Sequence, residues 1–208
     1  KIIINNGKYK SSAFTVESDW SGASYWFSFV ALSEKAEVIL SGLKHDSLQG
    51  DNRIIEIMDP LGVRAKFIKE GLLLTKKESH NSLEYDFSDC PDLGQTVAVT
   101  CAATGIKGEF TGLESLRIKE TDRIAALQNE LGKIGARLDD IDGKLWVLHP
   151  ATSLGSASNI SIETYDDHRM AMAFAPLATQ MNITILNPTV VNKSYPSFWK
   201  HLQKAGFE

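Results

Sequence analysis

Thr164-Tyr165-Asp166-Asp167-His168-Arg169-Met170 leads without a break into the apolar stretch Ala171 to Ala178. An aspartate ahead of an apolar run reads as the start of a helix, its carboxylate placed to cap the first free N–H groups. A helix apolar nearly all round belongs in a core. The same pattern occurs twice upstream, with Asp19 before Ala23–Leu32 and Asp92 before Val97–Ala103, so the three aspartates stand 73 and 75 residues apart. Each apolar stretch is followed by a short strand candidate, Glu37–Leu43, Glu109–Leu113 and Asn182–Asn187. A second helix follows each strand, over Asp51–Leu61, Lys119–Ile134 and Pro196–Ala205, and each ends at a glycine, as helix C-termini often do. Those glycines, Gly62, Gly135 and Gly206, are spaced 73 and 71 residues apart.

Hairpin-like pairs follow the first two glycines: Val63–Ile68 with Leu72–Lys76, and Ala136–Asp140 with Lys144–Leu148. Glu70-Gly71 and Asp142-Gly143 supply the turn residues. The chain therefore reads as an αβαββ unit of about 70 residues, used three times. The third copy stops at Phe207-Glu208, where its hairpin would begin, and the chain opens on strand-like Lys1–Ile4. An ordinary α/β chain could alternate its elements this way by coincidence, but the joint recurrence of Asp, Gly and spacing favours a repeat. The second helices are two-faced, with Ile124, Leu127, Leu131 and Ile134 in one stripe. The expected picture is buried helices inside a layer of sheets and outer helices, with several helix starts gathered at one end.

The chain has 208 residues, 43% hydrophobic and 23% charged, ordinary values for a globular protein with ample core. A net charge of -4 and a pI near 5.8 provide no global basic field, which argues against nucleic acid as the main partner. No apolar run approaches the ~20 residues of a membrane span. The two cysteines, Cys90 and Cys101, lack metal-ligand spacing and disulfide density, and read as reduced thiols of a cytoplasmic protein.

Two charged runs stand out, Arg117-Ile118-Lys119-Glu120-Thr121-Asp122-Arg123 and the segment around Asp167. The helix dipole favours carboxylates at a helix start, yet Lys119, Arg123 and Arg169 sit at such starts. Lys119 and Arg123, at i and i+4, would share one helix face, which is unfavourable unless an anion lies between them. Three misplaced cations beside Glu120 and Asp167 suggest a site for a polyanionic substrate with acid/base groups at hand.

At these runs the sequence resembles the 5-enolpyruvylshikimate-3-phosphate synthases, or 3-phosphoshikimate 1-carboxyvinyltransferases. The matching words are Arg117-Ile-Lys-Glu-Thr-Asp-Arg123, Tyr165-Asp-Asp-His-Arg-Met-Ala171 and Asn192-Lys-Ser-Tyr-Pro-Ser-Phe198. Weaker matches are Ser47-Leu-Gln-Gly-Asp51, Asp19-Trp-Ser-Gly-Ala-Ser-Tyr25 and Pro91-Asp92, all in the family's order and spread over nearly the whole chain. The resemblance implies an α/β fold, an inside-out α/β barrel built from about three βαβαββ repeats. Residues 1–208 would form one domain, the C-terminal half of a two-domain enzyme, and the hairpin missing from the third copy would come from the start of the whole protein. The implied reaction moves the enolpyruvyl group of phosphoenolpyruvate to the 5-hydroxyl of shikimate 3-phosphate and releases phosphate, in the shikimate pathway. It implies no metal, flavin or nicotinamide cofactor, no nucleic-acid or membrane partner, and a monomer when complete.

Carried over residue by residue, Asp92 matches the proton acceptor near the shikimate hydroxyl, and Glu120 the proton donor. Asp92 could equally be a helix cap after Pro91, and Glu120 an ordinary first-turn glutamate. Lys119 matches a ligand of the shikimate phosphate, with Ser115 where many relatives carry Asn. Arg123, Arg169 and Lys193 match the cations that hold phosphoenolpyruvate, a task that suits the guanidinium fork. A surface salt bridge remains open for Arg123, and a solvated loop lysine for Lys193. His168 could tune Asp167 or Glu120, or be a buried structural histidine. Trp20, Trp26, Trp146 and Trp199 read as core or domain contacts. The competing readings are a UDP-N-acetylglucosamine enolpyruvyltransferase and a non-catalytic anion- or RNA-binding module of the same fold. With the family's other substrate clamps absent, this chain alone is expected to be inactive.

Overall fold

Each of the three Asp-led segments becomes a buried helix. A computed structural model describes residues 1–152, 154 and 159–207, which leaves Glu208 outside it. The first unit comprises α1 (Trp20–Leu32), β1 (Glu37–Leu40), α2 (Ile54–Met58), β2 (Val63–Ile68) and β3 (Gly71–Lys76). The second comprises β4 (Ser82–Asp86), α3 (Gly94–Thr104), β5 (Lys107–Thr111), α4 (Arg123–Lys133), β6 (Arg137–Ile141) and β7 (Leu145–His149). The third comprises β8 (Ile160–Ile162), α5 (His168–Phe174), β9 (Ile183–Ile185) and α6 (Phe198–Lys204).

Helices α1, α3 and α5 form the centre, with α3 packed against both of the others. Phe27 to Leu32, Gly94 to Ala102 and Met170 to Phe174 are buried on every side, as their uniform apolarity predicts. The small polar side chains at this seam satisfy one another, whereas Gln95 donates from Nε2 to Met170 Sδ at 3.0 Å and its Oε1 has no partner. Ser28 Oγ donates to Thr100 Oγ1 at 2.8 Å, while Thr100 donates to the Thr96 carbonyl of its own helix. Such pairing lets the helices approach without leaving a hydroxyl unmatched. The outer helix α4 buries Ile124, Leu127 and Leu131 and exposes its opposite face, as its stripe predicts. Gly62, Gly135 and Gly206 take left-handed backbone, φ +95°, +84° and +97°, and close the outer helices.

The middle sheet shows the unit in full. Its order is β4-β5-β7-β6, with β4 parallel to β5 and the other pairs antiparallel. The first sheet, β1-β3-β2, repeats the last three positions of that order, and the third, β8-β9, repeats the parallel first pair. Helices thus lie inside and sheets outside, but the sheets stay separate and do not close into one barrel among the described residues.

Several expected elements differ. Lys1–Ile4 forms no strand and is exposed. The segment ahead of α1 touches the first unit through Ser18 N–H, which donates to Gly42 O at 2.8 Å. The helix expected over Asp51–Leu61 is a 3-10 turn, Gly50–Arg53, followed by the short α2. The helix expected from Lys119 starts only at Arg123, because Asp122 caps it by accepting from Ala125 N–H at 3.0 Å. No described helix is long and apolar enough to cross a membrane.

Candidate functional site

The starts of α3, α4 and α5 meet at one end of the domain, and the charged side chains there form one network. Asp92 lies in a 3-10 turn, Pro91–Leu93, immediately before α3. It does not cap that helix; both of its oxygens face cations instead. Oδ1 accepts from Arg123 Nη1 at 3.0 Å and lies 3.3 Å from Lys119 Nζ, and Oδ2 accepts from Arg169 Nη2 at 3.0 Å. The anion expected between Lys119 and Arg123 is therefore the protein's own Asp92, although the two cations do not share a helix face.

Arg123 is the hub. Its side chain is 2% exposed and meets three carboxylates: Asp167 from Nε at 2.6 Å, Glu120 from Nη2 at 2.6 Å, and Asp92. A surface salt bridge is excluded for it. Asp167 is wholly buried, caps α5 through Arg169 N–H at 2.8 Å and grips Arg123 with the same carboxylate. Glu120 precedes α4 rather than occupying its first turn, and it also binds Lys193. Lys193, 58% exposed, ends a 3-10 turn, Pro188–Lys193, and reaches back to the site. Four cations face three carboxylates, which leaves the cluster one positive charge to spare.

This arrangement sets the protonation states. The hydrogen bond from Lys193 is the largest influence on Glu120 and, with Arg123, holds its carboxyl down to about 2 despite partial burial. Burial would raise Asp92, but Arg169, Lys119 and Arg123 outweigh it and keep the carboxyl below its usual range. His168 is 6% exposed, and burial lowers its pKa against the pull of Asp167. Its Nδ1 has no hydrogen-bond partner and stands 3.8 Å from Asp167 Oδ1, which makes it a buried histidine beside the network. Ser115 lies in the 3-10 turn Glu114–Ile118 that precedes Lys119, with its Oγ buried and unpartnered.

Beside Arg169 lies a cavity of about 260 Å³, lined among others by Asp19, Ser21, Tyr25, His168 and Tyr195. That is room for several atoms beyond one water, whose share of the liquid is about 30 Å³. Two further groups stand at this end, Tyr25 and Asp51, each closing one of the weaker matching words. Burial pushes the Tyr25 phenol up to about 12 even with Arg169 nearby. Asp51 accepts from Ser21, and burial raises its carboxyl against the influence of Arg169. In the sequence Asp51 opens the helix expected over Asp51–Leu61, and the fold brings its carboxylate to Ser21. Trp20 and Trp146 are core residues; Trp26 and Trp199 pack partly buried against the core.

Immediately before Asp167 the backbone is strained. Tyr165 and Asp166 are left-handed in succession, φ +52° and +54°. Side chains in that region cost roughly 1–2 kcal/mol each, and a bulky aromatic rarely adopts it.

The central helix layer within outer sheets is the fold of the enolpyruvyl transferases, as two solved structures show. The enolpyruvyl transferase NikO from Streptomyces tendae superposes with a TM-score of 0.64 at 16% identity, covering 94% of this chain and 44% of that one. The EPSP synthase from Acinetobacter baumannii gives 0.70 at 22% identity, over 92% of this chain and 46% of that one. Sequence narrows the class further. Residues 1–202 match the family model for EPSP synthase (3-phosphoshikimate 1-carboxyvinyltransferase), and the chain belongs to that family. A 3-phosphoshikimate 1-carboxyvinyltransferase of Bacteroides fragilis is 46% identical over 208 residues, 99% of this chain and 50% of that protein. Its counterpart in Methanospirillum hungatei is 36% identical over 205 residues, 97% of this chain and 46% of that protein. The chain thus spans about half the length of the curated relatives it matches.

Proposed function

We propose that the complete protein transfers the enolpyruvyl group of phosphoenolpyruvate to the 5-hydroxyl of shikimate 3-phosphate, and that residues 1–208 are its C-terminal domain. The observation that carries this reading is the network at Asp92 and Glu120, where four cations converge on carboxylates in a chain of the EPSP synthase family. In this reading Asp92 takes the proton of the attacking hydroxyl as its oxygen bonds to C2 of phosphoenolpyruvate. Glu120 delivers a proton to the methylene carbon; the tetrahedral intermediate then returns a methyl proton to Glu120 as the C–O bond to phosphate breaks, and the departing phosphate takes the proton held by Asp92. The steps need proton transfer and charge compensation alone, so no cofactor is invoked.

The carboxylates now on the cations act as stand-ins for the substrates. Phosphoenolpyruvate takes over Arg123, Arg169 and Lys193, and the phosphate of shikimate 3-phosphate takes Lys119 and the unpartnered hydroxyl of Ser115. Release from Lys193 lets the Glu120 carboxyl rise from about 2 toward its ordinary value, which a proton donor requires. Acid/base competence therefore arrives with the substrates. The buried free thiols of Cys90 and Cys101 fit a reducing cytoplasm.

The test is phosphate release from phosphoenolpyruvate plus shikimate 3-phosphate, with this chain, a separately made N-terminal half, and both together. Turnover is expected only in the mixture, since one half closes on the other to complete the site. Near-complete activity from this chain alone refutes the division of labour. Silence of the folded mixture with shikimate 3-phosphate, and turnover with a UDP-sugar, refutes the substrate.

A further inference from the structure

Glu130 is a wholly buried carboxylate that the proposed chemistry leaves unused. It lies on α4 two helical turns beyond Arg123, so both residues project from the same side of the helix. Its Oε1 accepts from the Tyr165 hydroxyl at 2.8 Å, and its Oε2 accepts from the Glu163 backbone N–H at 3.1 Å and from Lys133 Nζ at 2.6 Å. Lys133 Nζ also donates to the Ser161 carbonyl of β8 at 3.0 Å. Arg123 grips Asp167 at the other end of this face. Helix α4 thus clasps the segment Glu163 to Asp167 at both ends, and the two left-handed residues lie between the clasps.

Strained backbone of this kind persists only where its surroundings over-determine it. Within the turn Asp167 N–H donates to the Thr164 carbonyl at 2.8 Å and Thr164 N–H to Glu163 Oε1 at 3.1 Å; around it stand Glu130 and Asn129 on one side and, on the other, Asn187, whose Nδ2 donates to Asp166 Oδ1 at 2.9 Å. What the turn delivers is Asp167, which orients Arg123, and, two residues on, Arg169. We infer that Glu130 and Tyr165 form a latch that holds the left-handed turn and so fixes where Arg169 and Asp167 stand, setting the affinity of the site for phosphoenolpyruvate. Glu130 is a positioning residue, acting through Tyr165 and Glu163 without touching substrate. Unlatched, the turn relaxes toward ordinary backbone, Arg169 leaves Asp92, and Arg123 loses its fixed orientation.

The inference rests on the proposed reaction, and its test separates the two. In the full-length protein, Tyr165→Phe keeps the ring and removes the hydroxyl, and Glu130→Gln keeps the shape and removes the charge. The KM for phosphoenolpyruvate should rise about tenfold in Tyr165→Phe, within the loss that a sub-ångström misplacement can cause. The KM for shikimate 3-phosphate should stay within about twofold, and Glu130→Gln should fall between wild type and Glu130→Ala. An unchanged KM for phosphoenolpyruvate, or equal rises for both substrates alongside a lowered Tm, overturns the latch. If the wild type shows no turnover, the functional reading falls, and the latch is judged by the Arg123 Nε–H NMR signal. Faster solvent exchange of that proton in Tyr165→Phe supports the latch, and unchanged exchange overturns it.

Discussion

Arg123 is 2% exposed, and a guanidinium so placed is stable only while anions meet it, three carboxylates in this structure. Removing one partner of a buried pair costs more than the pair itself contributes, because the remaining charge is left uncompensated. Asp167→Asn should therefore destabilise the domain by about 3 kcal/mol, seen as a lower urea midpoint. Arg123→Met added to that variant should recover part of the loss, a coupling that a double-mutant cycle measures. Acid acts on the same residues in two windows. The Glu120 carboxyl sits at about 2 in the fold against an ordinary 4.5, so its contribution is complete above 4.5 and is lost as pH falls toward 2. His168, whose pKa burial lowers from 6.5, resists the proton that the unfolded chain accepts, so stability also declines as pH falls below 6.5. Urea midpoints should fall less steeply than in wild type between pH 4.5 and 2 in Glu120→Gln, and less steeply below pH 6.5 in His168→Gln. Arg123 and Arg169 were legible because they break the dipole rule at helix starts, whereas Lys193, at the end of a 3-10 turn, was read from the family resemblance alone. Glu130 was not legible: with Lys133 at i+3 it reads as an exposed ion pair, and only the arrival of β8 and Tyr165 shows that its side of α4 is inside.

Among the elements, β5 shows how a glycine fixes a sheet. A Cβ at Gly108 would stand 2.2 Å from the ring tip of Phe110, which folds back over it within the same strand and is itself wholly buried. Since the ring has nowhere to go, Gly108→Ala should cost roughly 1–3 kcal/mol by overpacking, measured by urea unfolding. Of the strands, β2, β3, β6 and β7 were readable from their turns, whereas β4 and β8 were not. Each is a first strand joined to its parallel partner through a helix, so no turn marks it. Each offers only two inward apolar-faced positions, Leu83 and Tyr85 in β4 and Ile160 and Ile162 in β8. The late start of α4 has a local cause as well. Asp122 captures the Ala125 N–H, and the four residues from Lys119 to Asp122 stay free to turn Lys119 and Glu120 toward the site.

For the whole molecule, the Asp and Gly periods carried the architecture, because left-handed backbone closes each outer helix and an aspartate precedes each inner one, capping α1 and α5 and, before α3, facing cations instead. Sheet closure was beyond their reach, since it depends on strands that pair across units. The three units are also unequal. The middle one holds all four strands of its sheet between residues 82 and 149, whereas its neighbours have three and two. Its contacts join residues near one another in the chain, so few long loops must close to build it. The first and third units need α3 as the surface on which α1 and α5 assemble. The charged end draws its groups from the second and third units alike, Asp92 and Arg123 from one and Asp167 and Arg169 from the other, so neither unit holds it alone.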